Sequence, residues 1–325
     1  MSKFFGNSTL KRLYVGTITK PSGGGVSAPL PLPRTGILAK IWLIITGTVS
    51  GTVTTPDAGG FAKVINRCRV VAQGGQDMIN VSGMGYHYLY RRMIDIGRDI
   101  LASQSAYAAV TATTFNVSMQ LPIQVNPNDE AGLFNLQTED TLVQVNLDWF
   151  PDASLVTAGG ATYTATAKVY IDVYTVPTDP AAMPDLSLVH QVLEDSRSEA
   201  AAGVATYEWP RGSIYLRMLH GAGIAQSGSD AWSAFQVVRN ESDVILDYPD
   251  TSIMDQVHGN QHGTLTRFPG VAYWAGLDES GFGSFGAAGN VIDSSKLTNI
   301  KTRVTLTGAT TLYAVRDTLL PVAQG

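Results

Sequence analysis

The chain reads as all-β: two β-sandwiches in tandem, each with about the strand number of a jelly roll or related sandwich, plus a few short helices. Three observations predict this. The first is alternation. Phe115, Val117, Met119, Leu121, Ile123 and Val125 alternate with Asn116, Ser118, Gln120, Pro122 and Gln124. Val143, Val145, Leu147 and Trp149 repeat the pattern, as do Val169, Ile171 and Val173. Successive strand side chains point to opposite faces, so each run writes one dry face and one wet face. The second is the absence of a helical period between these runs, which describes antiparallel sheet with one face on a core. The third is composition. The 325 residues include 33 glycines, and only 15% are charged, well below the ~25% of ordinary soluble domains. Few charges also fit a surface largely covered by neighbouring subunits.

In chain order, residues 1–34 read as an N-terminal arm. Phe4, Phe5, Leu10, Leu13 and Tyr14 lie among Lys3, Lys11 and Arg12, a loosely amphipathic pattern that predicts a short helix. Pro21 and Gly23 to Gly25 end it, and Pro29, Pro31 and Pro33 favour extended chain. Such an arm is disordered or ordered by a partner. Residues 35–176 form the first sandwich. Strands are predicted over Ile37–Val53, Phe61–Ala72 and Val81–Tyr90, followed by the three alternating runs, with a short helix over Arg91–Ser103. Residues 177–203 are a proline-rich linker carrying Pro177, Pro180 and Pro184, then a helix over Asp185–Ala202 on the spacing of Leu186, Val189, Val192 and Leu193. Residues 204–325 form the second sandwich. Its strands are Val204–Trp209, Ile214–His220, Trp232–Arg239, Val244–Tyr248, Val271–Trp274, Ile300–Thr307 and Thr311–Arg316. A one-turn helix falls at Ser252–Val257, and Gly276–Gly289 is a glycine-rich loop. The halves share no sequence repeat.

No apolar run reaches the ~20 residues of a membrane-spanning helix. The N-terminus lacks the apolar core and cleavage signal of a secretory leader. A single cysteine, Cys68, excludes an intrachain disulfide and reads as a buried thiol. Charge is unevenly spread. Residues 1–98 carry 12 bases and three acids, a net of +9; residues 99–325 carry 10 bases and 24 acids, a net of −14; together they give the chain's −5. This polarity points one end toward something anionic, unless the charges disperse over the fold.

Catalytic motifs do not hold up. Gly281–Gly286 matches GxGxxG but lacks the βαβ context of a dinucleotide site. His258 and His262 have i,i+4 spacing without the glutamate of a zinc protease, and read as histidines on a turn. His87 lacks a His-x-His partner, and no GxSxG elbow occurs. The adjacent pairs Asp129-Glu130, Glu139-Asp140 and Asp278-Glu279 point apart or sit in solvent. Asn7, Asn80, Asn116 and Asn240 head sequons that need a secretory route to matter. Interleaved aromatic and basic residues of a nucleic-acid module are missing. The reading is not an enzyme, with no cofactor, no metal and no specific nucleic acid.

Gly36–Thr46, Gly60–Val70 and Gly83–Tyr90 resemble the opening strands of tectivirus-type major capsid proteins, the adenovirus/tectivirus lineage that includes bacteriophages. Thr114–Ile123, Ala131–Gln137 and Leu142–Trp149 are similar to a later segment of that family, and Arg267–Trp274 to a stretch late in its second domain. The resemblance implies a double jelly roll, a homotrimer forming a pseudo-hexameric capsomer, and a place in the icosahedral shell of a virion assembled in the host cytoplasm. It also implies contacts with neighbouring capsomers, with minor capsid and vertex proteins, and with an internal viral membrane. On that reading Lys3, Phe4, Phe5, Lys11, Arg12 and Lys20 form a membrane- or interior-facing arm, the bases meeting anionic headgroups and the phenylalanines the interface. Two alternatives stand beside it. One is a carbohydrate- or receptor-binding sandwich such as a viral spike or lectin-like module, in which tryptophans and tyrosines would stack on sugars, although Trp42 and Trp149 read as core. The other is a sandwich hydrolase using scattered carboxylates.

Overall fold

The computed structural model describes residues 3–56, 60–72, 75–91, 112–137, 142–224, 229–262, 269–276 and 291–321. It divides into two compact units. The first contains Met1–Gly83, Ile100–Gln191 and Val322–Gly325; the second contains Met84–Asp99 and Val192–Pro321. The sequence reading drew its boundaries sequentially, whereas here the division falls within one strand and Met84–Asp99 groups with the second unit.

The first unit begins with helix α1 (Lys3–Asn7). Its strands are β1 (Leu10–Thr19), β2 (Gly25–Val26), β3 (Leu30–Pro31), β4 (Ile37–Pro56), β5 (Ile65–Ala72), β6 (Gln76–Val81), β7 (Ala112–Pro122), β8 (Phe134–Asn135), β9 (Gln144–Trp149) and β10 (Val156–Tyr174). One antiparallel sheet has the order β1-β10-β4-β7, with β8 beside β4; a second carries β6-β5-β9-β2, with β3 beside β9. Period-two alternation explains the packing. Register sets Ile41, Leu43 and Ile45 of β4 beside Ile171, Val169 and Ala167 of β10, and beside Leu121, Met119 and Val117 of β7. All nine are essentially inaccessible. Burying each of the larger ones contributes about 1.5–3 kcal/mol. The Phe61 and Phe115 rings stack at 4.7 Å. Tyr163 on β10 donates its hydroxyl to the Val64 and Phe150 carbonyls at 3.1 and 2.7 Å, tying this sheet to the other side of the core.

In the second unit the strands are β11 (Leu188–Glu199), β12 (Gly203–Glu208), β13 (Ile214–Ala222), β14 (Trp232–Arg239), β15 (Asp243–Tyr248), β16 (Val271–Ala275), β17 (Ile292–Asp293), β18 (Ile300–Leu306) and β19 (Thr310–Pro321). β11 is the strand in which the division falls. One sheet has the order β16-β13-β19-β11, with β17 beside β13; the other has the order β12-β18-β14-β15. The two meet at His220 on β13, whose Nε2 lies 2.6 Å from the Thr302 hydroxyl on β18. The Trp209 indole donates to the same hydroxyl at 3.0 Å. Helix α2 (Thr251–His262) lies beyond β15.

Five sequence expectations need correction. Leu10–Thr19 is an edge strand hydrogen-bonded to β10 from Tyr174 to Thr166, not a free arm. Its weak apolar period suffices because pairing with an open sheet edge supplies the backbone hydrogen bonds. Asp185–Ala202 is not a helix, because Leu188–Glu199 is strand. The helical spacing of its valines coincides with the contiguous buried run Val189–Val192, which a strand covered on both faces also produces. Val81–Tyr90 is strand only at its first residue; Gly85–Arg91 winds into a wide helical turn that buries Tyr86 and Leu89. Phe61 to Val64 belong to a short 3-10 turn before β5. The one-turn helix expected at Ser252 is the 12-residue α2, capped by Asp250, whose carboxylate accepts from the Ser252 and Ile253 amides. The helix expected over Arg91–Ser103 and the Gly276–Gly289 loop lie almost wholly outside the described residues, as do the GxGxxG stretch and the Glu139-Asp140 and Asp278-Glu279 pairs.

Candidate interaction surface

The six residues assigned to an interior-facing arm are held in different ways. Phe4 is 1% exposed and joins Ile37, Ala39, Leu133 and Tyr174 in a cluster, with Phe5 packed partly buried against it. The three rings meet edge to face at 5.1–5.6 Å. Lys20 is buried, its Nζ 2.6 Å from Asp152 and 4.2 Å above the Tyr163 ring. Arg12 forks onto Asp172 at 2.7 and 2.9 Å and lies 4.3 Å over Trp42, whose indole donates to the same carboxylate at 2.7 Å. Burial opposes ionisation of Asp172, but the hydrogen bonds from Arg12 and Trp42 and the charges of Arg12 and Lys40 outweigh it, holding the carboxyl below its usual range. Only Lys3, Lys11 and the outer part of Arg12 face solvent among the six.

The outer face of the β1-β10-β4-β7 sheet falls into two zones. Near the chain start, cross-strand register aligns Arg12, Asp172 and Lys40, then Tyr14, Tyr170, Trp42 and Gln120. Tyr14 is 57% exposed, and its ring lies 5.3 Å from that of Tyr170. Further along the strands the face carries no charge. One row is Thr19, Thr166, Thr46 and Asn116; the next is Thr164, Thr48 and Thr114. Together with Lys20, Gly47, Phe115 and Ala165 they line a trough of about 680 Å³. Gly47 sits between the rows, where a Cβ would run into the Thr164 carbonyl and the Phe115 ring, so β4 needs glycine there to close against β10. Sequence reading missed this surface. Its signal was threonine on the wet parity of four strands, which composition alone treats as ordinary β-propensity.

The outer face of the β12-β18-β14-β15 sheet differs. Glu208 pairs in register with Lys301, Arg303 sits beside Gln236, and Gln236 bonds Asp247 at 3.1 Å. That is the mixed-sign pattern of a solvated sheet.

Among the described residues the catalytic candidates do not converge. Among the described residues no three His, Cys, Asp or Glu side chains come together as a metal site. His258 is not on a loop turn: it is buried in α2 with its Nδ1 2.9 Å from the Tyr273 hydroxyl. His220 is held neutral by burial, its pKa lowered to about 3. Burial pushes the Cys68 thiol up to about 12, leaving it unreactive. Asp129 and Glu130 serve backbone amides, accepting from Ala131 and Asp185. Tryptophan platforms for sugar are lacking as well. Trp149, Trp209, Trp232 and Trp274 are buried, and Arg12 covers the ring of Trp42.

No sequence family and no curated protein matches the chain. Solved structures do match. The major capsid protein of Sulfolobus Turreted Icosahedral Virus is 14% identical, with 96% of this chain and 97% of that one aligned at a TM-score of 0.73. The capsid of PBCV-1 virus aligns over 97% of this chain and 95% of its own at 12% identity and a TM-score of 0.61. The major capsid protein P2 of bacteriophage PM2 aligns over 98% and 99% at 12% identity and a TM-score of 0.52. The fold is therefore the double jelly roll of these capsid proteins.

Proposed function

We propose that this chain is a structural major capsid protein, three copies of which form a pseudo-hexameric capsomer tiling an icosahedral virion shell. The observation that carries it is near-complete two-way coverage: the structural matches leave almost no part of either chain unaligned. A module borrowed for another purpose would align over part of a larger protein. The chemistry agrees. His220, His258, the cysteine and Asp172 are engaged within the fold, and the threonine-rich sheet face suits coverage by a neighbour. Contacts with minor capsid and vertex proteins belong to the same proposal, as does assembly in the host cytoplasm. The structure supports a narrower version of the interior-facing arm, with Lys3 and Lys11 as its contact bases and Phe4 and Lys20 as the fastenings that hold it. Two exposed bases contribute about 1 kcal/mol each at an anionic surface, enough to orient but not to anchor.

Electron microscopy of the purified protein tests the proposal. Hexagon-outlined particles the size of three chains are expected, with shells at higher concentration. Uniform single-chain particles at every concentration would reject it. A Lys3→Glu, Lys11→Glu double variant is expected to keep those particles but to bind vesicles of anionic phospholipid less than the wild type. Equal binding would remove the arm from any membrane role. Deleting residues 1–20 would be a poor test, since it strips β1 from β10.

A further inference from the structure

We infer that the threonine-lined trough on the outer face of the β1-β10-β4-β7 sheet is a docking surface for a second copy of this chain. The inference rests on the shell-protein reading and says which surface does the mating. Three features carry it.

The first is the contrast between the two outer sheet faces of one molecule. Where the β12-β18-β14-β15 face interleaves Glu208, Lys301, Arg303 and Asp247, the outward rows of the trough hold threonine and Asn116, and Lys20, which also lines it, is buried and paired with Asp152. Charged side chains are depleted from the cores of protein interfaces because their desolvation is rarely recovered. Threonine suits such a core. Its β-branched side chain has little rotamer freedom to lose, and its hydroxyl can donate or accept toward whatever backbone or side chain meets it.

The second feature is size. Four strands about 4.8 Å apart and some ten residues long at about 3.3 Å present a face of roughly 600 Å². That approaches the ~800 Å² each partner contributes to a standard stable interface. A small ligand would occupy only part of it.

The third is charge. The end of the same face carries Arg12, Lys40 and Lys168 against Asp172 alone. Residues 99–325 hold a net of −14, so the complement of this basic rim is available on another copy. Tyr14 and Leu10, 57% and 51% exposed on β1, add apolar area beside the rim.

The single buried cysteine makes a clean experiment possible. Cys68 is inaccessible, so a Thr164→Cys variant has one reactive thiol, placed in the trough. If the trough is a docking surface, maleimide labelling of that thiol should be at least about tenfold slower at protein concentrations where the chain is associated than in dilute monomer, because access then requires dissociation. Thr164→Trp, which fills the trough, should remain folded by circular dichroism and sediment as a monomer. Association of the wild type with equal labelling at both concentrations would overturn this surface while leaving the shell-protein reading in place. A wild type that never associates would overturn both. Should the tryptophan variant misfold, the near-isosteric cysteine variant still decides the matter.

Discussion

His220 sits between two sheets of the second unit with Trp209, Tyr207 and Phe235 around its ring and the Thr302 hydroxyl at its Nε2. Desolvation comes first among the causes that lower its pKa to about 3, ahead of the charge of Arg197; a backbone hydrogen bond with Tyr313 opposes both. In the unfolded chain the imidazole takes up a proton near pH 6.5. Between those values the unfolded chain binds more protons, so this residue's contribution is full above about pH 6.5 and is lost as pH falls toward 3. Its slope is up to about 1.4 kcal/mol per pH unit. Urea midpoints taken at pH 7 and pH 5 should therefore show the wild type losing about 2 kcal/mol. His220→Gln keeps an amide to meet Thr302 and should flatten that dependence; an unchanged slope would assign it to another group. Asp172 acts in the same direction: its carboxyl is also depressed in the folded chain, so the stability it adds is present above the unfolded carboxyl pKa and is lost as pH falls through the folded-state pKa. Neither behaviour was legible in the sequence. A histidine in an apolar strand and an aspartate in an alternating run announce their parity, not their partners.

Among the elements, the β14–β15 turn carries the clearest local strain. Asn240 and Glu241 both have positive φ, 48° and 70°. This is the geometry of a tight hairpin turn that favours Asn-Gly. The second residue is here a glutamate, held by Asn299 and by Lys301 at 2.8 Å. Glu241 itself is 71% exposed, so the pairing is screened by solvent. Glu241→Gly is expected to raise the melting temperature, because the relief at the backbone exceeds the loss of a surface ion pair. A lower melting temperature would show that the clamp onto Asn299 and Lys301 is the larger effect. The elements also show where pattern reading succeeds. β4, β7, β9 and β10 were legible because each has one dry face, and that requirement writes period two into the residues. β11 was not, since a strand covered on both faces has no period, and its valines happened to fit a helix. Gly85–Arg91 failed for a related reason. Its alternate tyrosines share a parity, yet Gly83 approaches the Ala62 carbonyl too closely for any side chain, and Gly85 lies against the Glu194 carboxylate.

For the whole molecule, charge is segregated along the chain, +9 over residues 1–98 and −14 over the remainder. Copies that associate through basic and acidic surfaces attract over a Debye length of about 10 Å at 0.1 M salt and about 3 Å at 1 M. Sedimentation at fixed protein concentration should show the associated fraction falling as sodium chloride rises from about 0.05 to 0.5 M. A fraction that rises with salt would assign the association to apolar contacts instead. By itself the sequence determined the fold class and most of the strands. Each follows from side-chain parity, turn residues and residue type, which are local properties. Only the tertiary structure decided that the N-terminal segment is an edge strand fastened by Phe4, Arg12 and Lys20, and that threonines from β1, β4, β7 and β10 share one trough. Those outcomes depend on register between strands as much as 164 positions apart, as in Leu10 beside Tyr174. No local pattern carries that register, because it is chosen by the burial of the opposite face.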